Sequence, residues 1–265
     1  MDVNKYLDRI HVKSIIKPDL ETLRLVHHQH LYTIPFENLD IHSGRKIILD
    51  KEKLIHKIID EERGGFCYEL NGAFYELLKA TNFNVKRISA GVYSKGGKFS
   101  PDFDHMALIV NLKDEHFLAD VGFGDSFIEP IRFQLDIIQK DLKDYFRITK
   151  SSEDDYFILS RSADGIEFIP QYRFTTAERE LSEFHEMCVY HQTSPESHFT
   201  QKVICSIAVP DGRISLSDLK LIITKNGNKD QKDISENEIP SILKNHFNIS
   251  LQSRLIIPPD LSKKS

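Results

Sequence analysis

The chain has 265 residues, 40% of them apolar, with 35 basic and 40 acidic side chains and a net charge of −5. That length supplies a sizeable core without disulfides, and the acidic balance, with a pI near 6.2, leaves no basic field for nucleic acid. No apolar run approaches the roughly 20 residues of a membrane span, and the N-terminal Met-Asp-Val-Asn-Lys-Tyr has no apolar signal segment. Three widely spaced cysteines, Cys67, Cys188 and Cys205, fit free thiols in a reducing cytoplasm better than a disulfide framework.

From residue 3 to about 83 the pattern is helical. Leu54, Ile55, Ile58 and Ile59 mark one amphipathic helix. After a Gly64-Gly65 break, Leu70, Phe74, Leu77 and Leu78 mark the face of another. From about 85 the texture changes to short runs rich in Val, Ile, Phe and Tyr, which predict strands over 85–93, 103–112, 116–121, 145–149, 156–160 and 165–168. Further strands are expected over 202–209 and 219–224. The charged stretch 225–238 is expected to be an exposed loop, and 239–246 a short helix opened by Pro240. The fold class is α+β: a helical bundle over 1–84, a β-rich domain over 85–200 and a small α/β tail over 201–265.

Arg63-Gly64-Gly65-Phe66-Cys67 is the most informative segment. It places Cys67 in the first turn of a predicted helix, where unpaired N–H groups and the helix dipole favour a thiolate. A thiolate nucleophile needs an imidazole, and the imidazole needs an orienting acceptor. His105 opens the apolar run Met106–Val110, and Asp120 ends the next one. If Lys113-Asp114 is a two-residue turn, residue 112 faces 115. His105 and Asp120 then lie on one face as diagonal neighbours across the strand pair, roughly 7–8 Å apart at the backbone level and within side-chain reach. A one-residue bulge would separate them.

These residues resemble the arylamine N-acetyltransferases. RGGFC at 63–67, DHM at 104–106 and ADVGFGD at 119–125 look like that family's three catalytic motifs. YLDRI at 6–10, PFENLD at 35–40 and TSPESHF at 193–199 add further matches. The resemblance implies a helical bundle, an antiparallel β-barrel and an α/β lid, around a core like that of papain-like and transglutaminase-like cysteine enzymes. It also implies a ping-pong reaction. Cys67 would take an acetyl group from acetyl-CoA as a thioester and pass it to an arylamine, arylhydrazine or arylhydroxylamine. His105 would act as base and proton shuttle, with Asp120 orienting it. Phe36, Phe66 and Phe123 would line the acceptor pocket. Lys98, Pro101, Phe103 and Gly124 would contact the coenzyme, while Arg63 and Glu37 match motif positions expected to be structural. No metal, nucleic-acid or membrane partner is expected.

Other signals point elsewhere or nowhere. Gly91–Lys98 lacks the first glycine of a P-loop, since position 92 is Val92, and it reads as a solvated hairpin. His27, His28 and His30 cluster on a predicted helix without further ligands suited to a metal. Cys205 reads as core, and Cys188, in a polar neighbourhood, as exposed. Thr193-Ser194-Pro195 reads as a cap for a helix starting at Pro195. No G-x-S-x-G element supports a serine hydrolase. The rival class is a cysteine hydrolase or transglutaminase-like enzyme using the same three side chains on carboxamides, and CoA release on acylation separates the two.

Overall fold

The computed structural model describes residues 1–258 apart from 95, 143, 153 and 252. Its N-terminal part is helical. Helix α1 (Val3–Arg9) starts where Asp2 accepts from the amides of Asn4 and Lys5, and α2 (Leu20–Thr33) where Asp19 accepts from that of Thr22. These carboxylates satisfy N–H groups that the first helical turn leaves unpaired. A two-residue strand β1 (Phe36–Glu37), α3 (Leu39–Ser43) and α4 (Lys51–Ile55) follow. The single amphipathic helix expected around 54–59 is instead α4 running into a π-helical turn, His56–Asp60. There three successive side chains, Lys57, Ile58 and Ile59, are all buried. Helix α5 (Cys67–Ala80) carries the expected apolar face.

Strands β2 (Asn84–Val92), β3 (His105–Leu112), β4 (Glu115–Ala119), β5 (Ile131–Arg132), β6 (Gln139–Asp141), β7 (Asp144–Lys150), β8 (Phe157–Ser162) and β9 (Ile169–Phe174) form an eight-stranded sheet in the order β5-β4-β3-β2-β9-β8-β7-β6. The sheet curls into a nearly closed barrel. At the seam, the Gln139 amide on β6 acts as a ladder rung. Its Oε1 accepts from the Arg132 amide at 2.8 Å and its Nε2 donates to the Arg132 carbonyl at 2.9 Å. Outside the barrel, Leu70, Phe74 and Leu77 of α5 pack with Leu108, Val110 and Phe117. Inside it, Ile88, Ala107, Ile109, Phe146, Leu159 and Phe174 form a second core. Strand β3 is therefore buried on both faces, which is why its sequence runs apolar without alternating.

Helices α6 (His185–Thr193) and α7 (His198–Gln201) lead into β10 (Ile204–Val209), β11 (Gly212–Ser217), β12 (Lys220–Lys225) and β13 (Asn228–Asp233), and α8 (Ile239–Phe247) follows. These strands form a second sheet, β1-β10-β11-β12-β13, in which Phe36 pairs with Ser206 and Glu37 with Cys205. Its outer face, with Cys205 and Leu216, packs on Ile242, Leu243 and Phe247 of α8. Among the described residues, no helix is long and apolar enough to cross a membrane.

Four further expectations change. The strand predicted over 165–168 is a turn, because Asp164 accepts from the amides of Ile166 and Glu167, and the strand begins at Ile169. Residues 228–233, expected within a loop, form β13, although every one is exposed and polar. The Asn226-Gly227 turn, both residues at positive φ, folds the chain back so that Lys225 pairs with Asn228. Helix α6 occupies part of the region read as β-rich. The helix expected from Pro195 begins at His198, with the Ser197 hydroxyl accepting from the Phe199 amide. Replacing Gln139 with Ala should lower stability by about 1 kcal/mol, a Tm loss of about 2–4 °C in a chain of this size. A calorimetric scan measures it.

Candidate active site

The turn before α5 is pressed against β1. A Cβ on Gly64 would lie 1.9 Å from the Pro35 carbonyl, and one on Gly65 would lie 2.6 Å from Glu69 Cβ. Neither glycine has positive φ, so space rather than backbone freedom excludes side chains here. The Glu37 amide donates to the Gly65 carbonyl at 2.9 Å, which ties the turn to the second sheet. Glu69 folds back so that its Oε2 accepts from the Phe66 amide at 3.2 Å, and Cys67 becomes the first helical residue.

Below this turn lie five charged side chains, all largely buried. Lys57 Nζ is 2.9 Å from Asp40 and 2.8 Å from Glu69, while Arg63 Nη2 is 2.7 Å from Glu37 and 2.8 Å from Asp40. Burial alone would lower both cations, but their carboxylate partners hold them above their usual ranges. Three carboxylates here face two cations, and Glu69 is the one whose carboxyl is raised. Burial pushes it up to about 7 despite the pull of Lys57.

His105 and Asp120 meet as the hairpin argument requires. Leu112 pairs with Glu115 and Leu108 with Ala119, without a bulge. His105 Nε2 lies 2.7 Å from Asp120 Oδ2. Asp120 Oδ1 accepts from Asn71 Nδ2 at 2.8 Å and from the Gly122 amide at 2.9 Å. Burial alone would raise this carboxyl, yet His105 and these donors hold it below the usual carboxylate range, so it is ionised. With Nε2 committed to Asp120, Nδ1 is the imidazole nitrogen left for a thiol. The rings of Phe123 and Tyr172 flank His105, each centred 5.2 Å away.

Two supports of this arrangement were not read from the sequence. Asn71 stands one helical turn beyond Cys67, a polar residue on the buried part of α5. It also donates to the Met106 carbonyl at 2.6 Å and accepts from the Val121 amide at 3.0 Å. His27 accepts the Asp120 amide on Nε2 at 3.1 Å, and its Nδ1 lies 2.7 Å from the Ile128 carbonyl. That pairing requires the neutral ring with its hydrogen on Nδ1, and burial pushes His27 down to about 4.

Cys67 corrects one expectation. It is 3% exposed, and burial pushes its thiol up, reinforced by Asp104 and Asp120 and opposed by the Met106 amide. His105, in the same cavity, is the base placed to take the proton of Cys67. Cys67 and His105 share a cavity of about 490 Å³ whose walls include Phe36, Phe123 and Gly124. Phe66 is fully buried behind that wall, edge-on to Phe199, which does line it. Lys98 and Pro101 lie exposed on the connection between β2 and β3. Phe103 packs edge-on against Phe184 and accepts the Tyr68 hydroxyl at its carbonyl. The far wall is one face of the second sheet, with Ser206, Arg213, Ser215 and Thr224 at alternating positions. Cys188, expected at the surface, is buried, and its thiol is pushed up to about 12. Cys205 is buried in the second sheet.

Two outcomes follow from these buried charges. Lys57→Met leaves Asp40 and Glu69 without their shared cation and should destabilise the fold by about 3–5 kcal/mol, read by urea unfolding. His27 takes up a proton near pH 6.5 when unfolded but only near 4 when folded. Its contribution is therefore complete above pH 6.5 and is lost as pH falls from 6.5 to 4. Between pH 7.5 and 5 this should cost about 2 kcal/mol, a loss absent from His27→Gln when the two unfolding curves are compared.

A family model described as N-acetyltransferase matches residues 19–256. Human arylamine N-acetyltransferase 1 is 32% identical over 97% of this chain and 97% of its own. The chicken pineal gland isozyme NAT-3 is also 32% identical over 97% of both chains. Among solved structures, the Mycobacterium smegmatis arylamine N-acetyltransferase superposes with a TM-score of 0.87 at 31% identity, covering 95% of this chain and 93% of that one. A Bacillus cereus arylamine N-acetyltransferase, described as having a Cys-His-Glu catalytic triad, superposes with a TM-score of 0.88 at 26% identity, covering 95% of this chain and all of that one. With a family model over most of its length and relatives matched nearly end to end, this chain belongs to the arylamine N-acetyltransferase family.

Proposed function

We propose that the protein transfers an acetyl group from acetyl-CoA to an arylamine, arylhydrazine or arylhydroxylamine by a ping-pong mechanism through a Cys67 thioester. The observation that carries this reading is the clamped His105–Asp120 pair sharing a cavity with a buried thiol. Cys67 attacks the thioester carbonyl as its proton passes to His105 Nδ1, and Asp120 stabilises the imidazolium that forms. The first N–H groups of α5 have no acceptor within the helix, and that of Cys67 is assigned as the oxyanion donor. The imidazolium then protonates the departing CoA thiolate. An amine attacks the acetyl-enzyme, the imidazole takes its proton, and the C–S bond breaks to return the thiol. The apolar walls limit loss of the acyl group to water.

In this reading Phe36 and Phe123 contact the acceptor and Phe66 supports them from behind. Gly124, with Lys98, Pro101 and Phe103 on the connection before β3, faces the coenzyme. The chain divides into a helical part over 1–84, a barrel over 85–200 and an α/β lid over 201–265, around a papain-like cysteine core, and works in the cytoplasm. The test is CoA release from acetyl-CoA with and without an aromatic amine. Amine-dependent release in the wild type, absent from Cys67→Ala, is the expected result. No release with any acyl-CoA would overturn the reading and favour a cysteine hydrolase.

A further inference from the structure

Beside His105, in the same cavity wall, stands a second carboxylate for which the triad has no use. The Asp104 side chain is 15% exposed. Its Oδ2 accepts from Ser100 Oγ at 2.6 Å, and its Oδ1 lies 3.1 Å from His191 Nε2. On the far side of that ring, His191 Nδ1 is 3.1 Å from Ser197 Oγ, which itself accepts the Phe199 amide at 3.2 Å. The His191 ring thus bridges Ser197 and Asp104, with Nε2 facing the carboxylate. Among the described residues, His191 is the one basic side chain within ion-pair distance of Asp104. The carboxylate is thus a negative charge in a largely buried wall, held by the Ser100 hydroxyl beside the His191 ring, with no lysine or arginine paired to it among the described residues.

Such a charge is costly to bury, and it does not assist the first half of the reaction, because it opposes a thiolate at Cys67. It favours positive charge. In the acyl-transfer reading above, on which this inference rests, positive charge develops on the attacking nitrogen before His105 removes its proton. We propose that Asp104, clamped by Ser100 and His191, accepts an N–H of the incoming aromatic amine or hydrazine and stabilises its positive charge during attack on the acetyl-enzyme. The nitrogen lone pair forms the C–N bond as the carbonyl electrons move to oxygen. The N–H proton passes to His105. The C–S bond then breaks, and the Cys67 sulfur recovers the proton from His105. Asp104 gains and loses no proton.

The two half-reactions separate this role from a structural one. Acetyl-enzyme formation is followed by intact mass with acetyl-CoA alone. Its decay is followed in single turnover with para-substituted anilines of graded basicity and with phenylhydrazine. In Asp104→Asn the acetyl-enzyme should form at least as fast as in the wild type. Aminolysis should be on the order of tenfold slower, with a changed slope of log rate against amine basicity. Ser100→Ala and His191→Gln keep the charge but loosen its clamp, and should give a smaller loss confined to aminolysis. They decide the matter alone if Asp104→Asn does not fold. Equal slowing of both halves would assign Asp104 to holding His105 in place and overturn the proposal, as would no change in either half. A wild-type protein that forms no acetyl-enzyme would overturn the acyl-transfer reading itself.

Discussion

Everything in the candidate site hangs from the knot of buried charges under the glycine turn. Lys57 comes from the π-helical turn after α4, Arg63 from the turn itself, Glu37 from β1, Asp40 from α3 and Glu69 from α5. Five segments are joined here through two cations. Two of the three carboxylates have a second duty: Glu69 caps the amide before Cys67, and Glu37 accepts the amide of Leu39. Removing one member would leave the others buried and unpaired, and for that reason a cluster of this kind fixes geometry more than it adds stability.

The same economy governs Asp120. Its two oxygens and its amide are used by His105, Asn71, Gly122 and His27, which come from β3, α5, the loop after β4 and α2. The helices and the barrel are therefore not separate bodies that meet at a crevice. A single carboxylate sits where they interlock, and the imidazole takes its orientation from that junction. Gly122 allows the closeness, since a Cβ there would come within 2.8 Å of Cys67 Cα.

The parts of the site that the sequence disclosed are those fixed by local chain geometry. Cys67 follows a glycine pair at a helix start, and His105 and Asp120 are related by a two-residue hairpin whose register can be counted. Asn71 and His27 escaped because their roles depend on tertiary packing. His27 lies 93 residues from the amide it accepts, and nothing within α2 marks it apart from His28 or His30. Strand β13 was hidden for a different reason. Its side chains carry no apolar signal, and pairing to β12 after an Asn-Gly turn makes it a strand. As an exposed edge, its lysines and aspartates suit it, because charge discourages pairing with other chains. Apolar periodicity likewise located the barrel but not the polar side-chain rung that nearly closes it.

The two-residue strand β1 rivets the turn that presents Cys67 to β10, through Glu37 and Gly65 on one side and Ser206 and Cys205 on the other. The cavity's far wall continues outward from that rivet through β11 and β12, held by main-chain pairing rather than by the identity of its side chains. Residues such as Arg213, Ser215, Ile222 and Thr224 can therefore drift over evolutionary time without loosening the nucleophile. The fold keeps its chemistry in one inheritance and its taste for ligands in another, and lineages are free to diversify the second while the first stands still.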